Sequence, residues 1–282
     1  MPELPEVETM VRGLRPALAG RLLGTVKVHD PFLLEGTNCA TFEHLASGRK
    51  VERIDRSGKW VLIILEADSG VIVIQPRMTG AFWLVPPDRP EHARLTFRLQ
   101  GSDQVVWYCD ARRLGKIRWH DTLGDARVAC ARSQGPDALE ISRDDLAHRL
   151  KQTSRSIKPT LMDQKVLAGI GNIYADEILF ASRLHPERVA SQLKPAELDR
   201  LHAAVGEVLH RAVEAEGSSF DAHYRTVLGL EGGFLATNAM YGRAGRPCPH
   251  CGNPIVREHI RGLIGRSTYY CPRCQPPRVR RA

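Results

Sequence analysis

No stretch of the 282-residue sequence stays apolar for the roughly 18–20 residues that a membrane-spanning helix needs. The N-terminus lacks the basic-then-apolar order of a secretory signal. Internal repeats are missing too, which removes the repeat architectures. Three of the seven cysteines, Cys39, Cys109 and Cys130, have no cysteine nearby in sequence and read as reduced packing residues. These absences predict a soluble, cytoplasmic protein that does not engage a membrane.

What is present defines the rest. Hydrophobic residues make up 43% and charged residues 26%, enough apolar surface for a buried core in a chain long enough for more than one domain. Forty Lys and Arg against 32 Asp and Glu leave a formal charge of +8. That balance suits a polyanion, because phosphate neutralised by basic side chains releases condensed counterions. Charge alone does not decide, since basic chains without such a partner exist.

Along the chain the hydrophobic period changes twice. Val7, Met10, Val11 and Leu14 recur at helical spacing behind Pro5, which suits a first helical turn, and Pro16 predicts an early end. From Val51 to Trp119 the pattern is strand-like. "KWVLIILEADSGVIVIQ" reads as a hairpin turning at Ala67-Asp68-Ser69-Gly70, and Leu95, Phe97 and Leu99 alternate with polar residues. Gly135-Pro136 marks a linker, and residues 140–216 read as helical. Residues 217–237 are Gly-containing and poorly periodic, the pattern of a functional loop. The reading is an α+β chain of two domains: 1–134 mostly strand, 135–236 helical with a loop at 218–236, and 237–282 a cysteine module with a basic tail.

Cys248, Cys251, Cys271 and Cys274 form two C-x2-C pairs separated by nineteen residues. One tight turn then offers two thiolates to one ion, and the second pair completes a tetrahedron with no open position. The expected cofactor is a single structural zinc on a β-hairpin, with His250 and His259 as bystanders.

Three long motifs stand in one order: "PELPEVE" at the start, "MDQKVLAGIGNIYADEILF" in the middle and "YGRAGRPCPHCG…RSTYYCPRCQ" at the end. In these the chain resembles the formamidopyrimidine-DNA glycosylase family, bacterial base-excision enzymes for oxidised purines, over nearly its whole length. The resemblance implies a two-layer β-sandwich with an N-terminal helix, then a helix–two-turn–helix domain with a zinc-finger hairpin. It implies DNA across the cleft between them and action as a monomer at the nucleoid.

It also assigns roles. Removal of Met1 would expose the secondary amine of Pro2, which attacks C1′ of the deoxyribose and forms an iminium. Glu3 would be the general acid/base at the sugar, and Glu6 would support the amine. The residues alone favour helix-capping acids over catalytic ones, and Glu8 reads as a plain helix acid. Lys59 would hold the lesion phosphate, against a bland reading as a solvated strand-start lysine. Asn172, by itself an ordinary N-cap candidate, would reach a phosphate, as would Tyr241 and Arg266. Met78, Arg112 and Leu114 would fill the gap left by an everted nucleotide. The sequence departs from the family pattern in having Leu114 where Phe is usual and Gln75 where His is usual, and the loop at 218–236 diverges in its middle.

These assignments predict a bifunctional glycosylase and lyase acting on double-stranded DNA with oxidised purines or abasic sites. Two alternatives stand beside it: an enzyme of endonuclease VIII type acting on oxidised pyrimidines, and a lesion-binding protein without catalysis. Arg112, placed to read the widowed cytosine, favours purines. Pro2, Glu3 and Lys59 together argue for catalysis.

Overall fold

The computed structural model describes residues 2–219 and 224–277. Met1, residues 220–223 near the start of the expected lesion loop, and the basic tail from 278 onward lie outside the described residues. Contacts divide the chain into two compact units: Met1–Arg132 with Val213–Leu235, and Ser133–Ala212 with Ala236–Ala282.

In the first unit, helix α1 (Leu4–Leu18) starts where Glu3 and Glu6 form a reciprocal capping box, with Pro5 in the first turn. It runs through Pro16 rather than ending before it. Leu14 and Leu18 are fully buried, and their burial, about 1.5–3 kcal/mol each, offsets a backbone bond lost in the last turn.

Strands follow: β1 (Leu23–Val28), β2 (Leu34–Glu35), then after helix α2 (Cys39–Ala46) β3 (Val51–Ser57), β4 (Trp60–Leu65), β5 (Val71–Gln75), β6 (Gly80–Trp83), β7 (Ala93–Leu99), β8 (Val105–Asp110) and β9 (Lys116–His120). They form a four-stranded sheet, β1-β7-β8-β6, and a five-stranded sheet, β2-β9-β5-β4-β3. Residues of both sheets and of α1 meet in one core cluster. The expected hairpin pairs Val61 with Ile74 and Ile64 with Val71.

All six residues of β4 are buried, which explains why its sequence does not alternate. Val61, Ile63 and Leu65 enter the main core. Trp60, Leu62 and Ile64 pack instead with Ala126 and Cys130 of helix α3 (Leu123–Ser133), an element the linker reading passed over. Cys109 is buried as well, and desolvation pushes its thiol up to about 12, which makes it inert.

In the second unit, α4 (Arg143–Lys151) is capped by Ser142, whose hydroxyl accepts the Asp145 N–H at 3.1 Å. Helices α5 (Ile157–Met162), α6 (Asn172–Ala181) and α7 (Pro195–Glu214) follow, then a hairpin of β10 (Val256–Glu258) and β11 (Thr268–Tyr270). Seven consecutive residues of α6, Ile173 to Leu179, are buried, including Asp176 and Glu177. No helix among the described residues is long and apolar enough to cross a membrane.

By contacts the chain passes from the first unit to the second after Arg132, and residues 213–235 group with the first unit. Tyr224 and Val227 sit in the first unit's core, and the Val227 carbonyl accepts the Leu84 N–H at 2.7 Å. A Cβ at Gly13 of α1 would lie 2.4 Å from a Val227 methyl, so this approach requires glycine.

Candidate functional site

The start of α1 gathers carboxylates out of water. Glu3 and Glu6 are each about 1% exposed, directly behind the buried Pro2. One Glu6 oxygen accepts the Glu3 N–H at 2.7 Å, and the other accepts the Ser218 N–H at 2.7 Å. The capping reading therefore holds for Glu6, and Glu6 also fastens a segment more than two hundred residues away in sequence. Gly217 lies against it: φ is +81°, and an added Cβ would meet Glu6 Cγ at 2.9 Å.

That segment forms a short stem. Ser218 bridges to Gly233, the Gly232 N–H donates to Ser219 Oγ at 2.9 Å, and the Phe234 N–H donates to the Gly217 carbonyl at 3.0 Å. The two ends of the expected lesion loop thus meet beside the helix that carries Glu3.

Lys59 occupies the two-residue turn between β3 and β4, next to Gly58 at φ +58°. Glu8 is more than a helix acid. It pairs with Arg56 at 2.9 Å, Arg12 at 3.2 Å and Arg15 at 3.8 Å. Arg56 in turn donates to the Gly58 carbonyl at 3.0 Å, so Glu8 ties α1 to the turn that holds Lys59.

Met78, Arg112 and Leu114 come from two loops joined by one buried carboxylate. Asp110, fully buried, accepts the Thr79 hydroxyl and, at 2.7 Å, the Gly115 N–H, while Thr79 Oγ1 accepts the Arg112 N–H at 3.1 Å. Arg112 and Leu114 are exposed and Met78 is half-buried. Gln75, at the end of β5, accepts from Arg77 Nε at 3.2 Å. Sequence reasoning missed Asp110 and Thr79, whose partnership spans 31 positions.

Asp30 was missed as well. Its carboxylate takes Arg113 Nε at 2.6 Å and Nη2 at 2.9 Å, holding Arg113 at φ +56° between Arg112 and Leu114. The Arg113 guanidinium holds the Asp30 carboxyl below its ordinary value of 3.8. A depressed folded value means stability that is fully present above 3.8 and lost as pH falls through the folded value. Asp30→Asn is therefore expected to cost about 1–2 kcal/mol at neutral pH, since it breaks charge-assisted bonds to a half-exposed partner. Urea unfolding should show the gap between wild type and variant closing as pH is lowered below 3.8. A gap independent of pH would refute an electrostatic role.

In the second unit, Asn172 is the first residue of α6 and Gly171 is the N-cap, which corrects the N-cap reading of Asn172. Its side-chain amide donates to the Ser267 carbonyl at 3.2 Å. Asp176 and Glu177 on the same helix each organise another expected contact. Asp176 Oδ1 pairs with buried Lys158 at 2.7 Å and its Oδ2 accepts the Tyr269 N–H at 3.0 Å. Lys158 Nζ also reaches the Ser267 carbonyl at 3.1 Å and Thr268 Oγ1 at 3.0 Å. Burial pushes the Asp176 carboxyl up to about 7, with Lys158 and the Tyr269 N–H opposing. Strand β11, and Arg266 just before it, thereby start from a fixed backbone.

Glu177 accepts the N–H groups of Ala239, Met240 and Tyr241, each at 2.8 Å. The half-buried Tyr241 ring lies edge-on to Tyr269 at 5.2 Å. Arg266 is exposed.

The four cysteine sulfurs of the hairpin module lie within 4.8 Å of one another. Cys248 and Cys274 are 3.8 Å apart, and Cys251 and Cys271 3.5 Å. A tetrahedral zinc with roughly 2.3 Å bonds requires sulfurs about 3.8 Å apart, so the donors fit one structural ion.

Family models match three stretches: the formamidopyrimidine-DNA glycosylase N-terminal domain over residues 1–117, the H2TH domain over 134–223, and a zinc finger found in FPG and IleRS over 245–277. The formamidopyrimidine-DNA glycosylase of Thermus thermophilus is 42% identical over 280 residues, covering 98% of each chain. That of Symbiobacterium thermophilum is 39% identical, covering 98% of this chain and 90% of its own. Among solved structures, the MutM (FPG) protein of Thermus thermophilus superposes with a TM-score of 0.85 at 40% identity over 97% of this chain and 98% of its own. The Lactococcus lactis Fpg in complex with DNA containing an abasic site gives 0.87 at 28% identity, over 98% of this chain and all of its own.

Proposed function

The chain belongs to the formamidopyrimidine-DNA glycosylase family of DNA-repair enzymes, and from that premise we propose a bifunctional glycosylase and lyase for oxidised or ring-opened purines. It acts as a monomer on double-stranded DNA at the bacterial nucleoid. The observation that carries the mechanism is the pair of buried carboxylates, Glu3 and Glu6, immediately after Pro2.

Once Met1 is removed, Pro2 carries a secondary amine at the N-terminus of α1. The positive end of the helix disfavours protonation and leaves the lone pair for attack. The Pro2 nitrogen bonds to C1′, the C1′–base bond breaks, and Glu3 hands a proton to the opening sugar. The resulting iminium withdraws electrons from C2′. Loss of a C2′ proton expels the 3′ phosphate, and a second elimination expels the 5′ phosphate. Glu6 keeps Glu3 and the stem at residue 218 in register with the helix start.

Lys59, Gln75, Asn172, Tyr241 and Arg266 position phosphates, while Met78, Arg112 and Leu114 occupy the gap in the duplex and Arg112 reads the widowed base. Phosphate contacts position and base contacts specify. Cys248, Cys251, Cys271 and Cys274 hold zinc, which supplies folding free energy to the hairpin and takes no part in the chemistry.

Borohydride trapping tests the proposal, with duplexes carrying 8-oxoguanine opposite cytosine or an oxidised pyrimidine. The expected result is a covalent complex that depends on a free Pro2 amine and forms most on 8-oxoguanine. A stronger pyrimidine crosslink would assign the endonuclease VIII type. Tight binding without any crosslink would leave a lesion-binding protein.

A further inference from the structure

Arg266 has company. The second unit carries a depression of about 770 Å³ whose lining includes Arg155, Arg261 and Arg266, with Ser154, Ser156 and Asp163. Arg261 and Arg266 stand on either side of the hairpin tip, where Gly262 (φ +89°) and Gly265 (φ +68°) reverse the chain. The tip rests on α5, since a Cβ at Gly262 would come within 3.7 Å of the Pro159 ring. Arg155, just before α5, pairs with Asp163 at 2.8 Å.

Three guanidinium groups and one carboxylate leave this depression with a net charge of +2. Arg261 and Arg266 are both exposed, and neither has a carboxylate partner among the described residues. Like charges gathered without counter-charges repel one another, a cost that an incoming polyanion removes. The planar fork of Arg matches phosphate oxygens, and serine hydroxyls at the edge are common phosphate donors. The spacing of the cations is fixed from below. Lys158 and Asp176 lock β11 to the helices, so Arg266 and the residues leading into α5 belong to one frame.

We propose that this depression is a second phosphate-backbone subsite, in which Arg261 and Arg155 hold DNA phosphodiesters next to the one held by Arg266. The proposal rests on the reading of Arg266 as a DNA contact. It extends the footprint of the hairpin by two residues, Arg261 and Arg155, that carry no role in the reading above.

The test uses the full-length, zinc-loaded chain and a duplex with a stable abasic-site analogue. Affinity is measured against sodium chloride concentration for wild type, Arg261→Ala, Arg155→Ala and Arg266→Ala. Removing one cation from a phosphate lowers the steepness of log K against log salt by about 0.9. The expected result is a loss of about one from the slope in Arg261→Ala, with affinity at low salt falling by about tenfold. Arg261→Lys should restore the slope, because it restores the charge, and recover only part of the affinity. Melting temperatures should stay close to wild type in Arg261→Ala, since the side chain is exposed. Wild-type slope and affinity in Arg261→Ala and Arg155→Ala, with Arg266→Ala affected, would overturn the subsite and leave the hairpin reading standing. Wild-type behaviour in all three would overturn both.

Discussion

Glu3→Gln is expected to slow base excision by about 10²–10⁴-fold, the range over which a positioned general acid/base acts. Glu3 is about 1% exposed, and its backbone N–H is already committed to Glu6 at 2.7 Å. Glutamine keeps the size and the capping geometry, so folding should survive. What it cannot do is deliver or take a proton at the sugar. Two measurements separate chemistry from structure. Single-turnover release of 8-oxoguanine should fall by the full factor, while the melting temperature moves by no more than a few degrees. Cleavage at a pre-formed abasic site should fall less, because the base has already left. Equal losses on both substrates, accompanied by a large drop in melting temperature, would mean that Glu3 serves the helix and not the reaction.

The second large effect concerns zinc. Structural zinc in finger peptides contributes about 10–16 kcal/mol of apparent binding free energy, which is folding free energy for the module. The hairpin here has little else. Its own apolar cluster consists of Met240, Ile255 and two of the ligand cysteines, with Phe180 and Tyr269 packed against it. Chelation, or Cys251→Ser, should therefore unfold the module and remove the scaffold of Arg266. DNA affinity is expected to drop by at least about 10²-fold, returning on readdition of zinc to the chelated protein but not to the variant. Circular dichroism should keep most of the strand signal of the first unit, whose core contains no metal ligand. Retained affinity in a demonstrably zinc-free sample would refute the dependence.

Motifs whose meaning lies within a few residues were legible in the sequence. The C-x2-C pairs, the Pro-Glu start of α1 and the alternation of β7 each announce their structure through local spacing. Side chains whose partners are remote were not. Glu8 looked like a helix acid until Arg56, 48 positions on, took its carboxylate. Asp30 meets Arg113 across 83 positions, and Lys158 meets Thr268 across 110. Asp176 and Glu177 lie inside a recognised motif, yet nothing in its spacing hinted that each clamps another segment. Pro16 misled because a local rule met a tertiary contact: the proline discourages a helix that buried Leu18 then pulls onward. Among the contacts that group residues 213–235 with the first unit is the Glu6–Ser218 bond, which spans 212 positions and which no spacing rule encodes.

The stem at Gly217–Ser219 and Gly232–Phe234 has a consequence for how such a protein can change over generations. Because its two ends are bonded to each other and to Glu6, and Tyr224 and Val227 anchor the chain between them in the core, the loop is closed at its base whatever the length of its exposed part. Doubling a closed loop costs only about 0.6 kcal/mol in chain entropy. Insertions that leave the stem, Tyr224 and Val227 in place are then expected to cost little in folding, whereas replacing Tyr224 or Val227 would open the core of the first unit. On the proposed function, lesion choice then becomes an interchangeable cartridge in a fixed holder, with exposed Leu228 and Leu230 open to replacement while the start of α1 stays as it is.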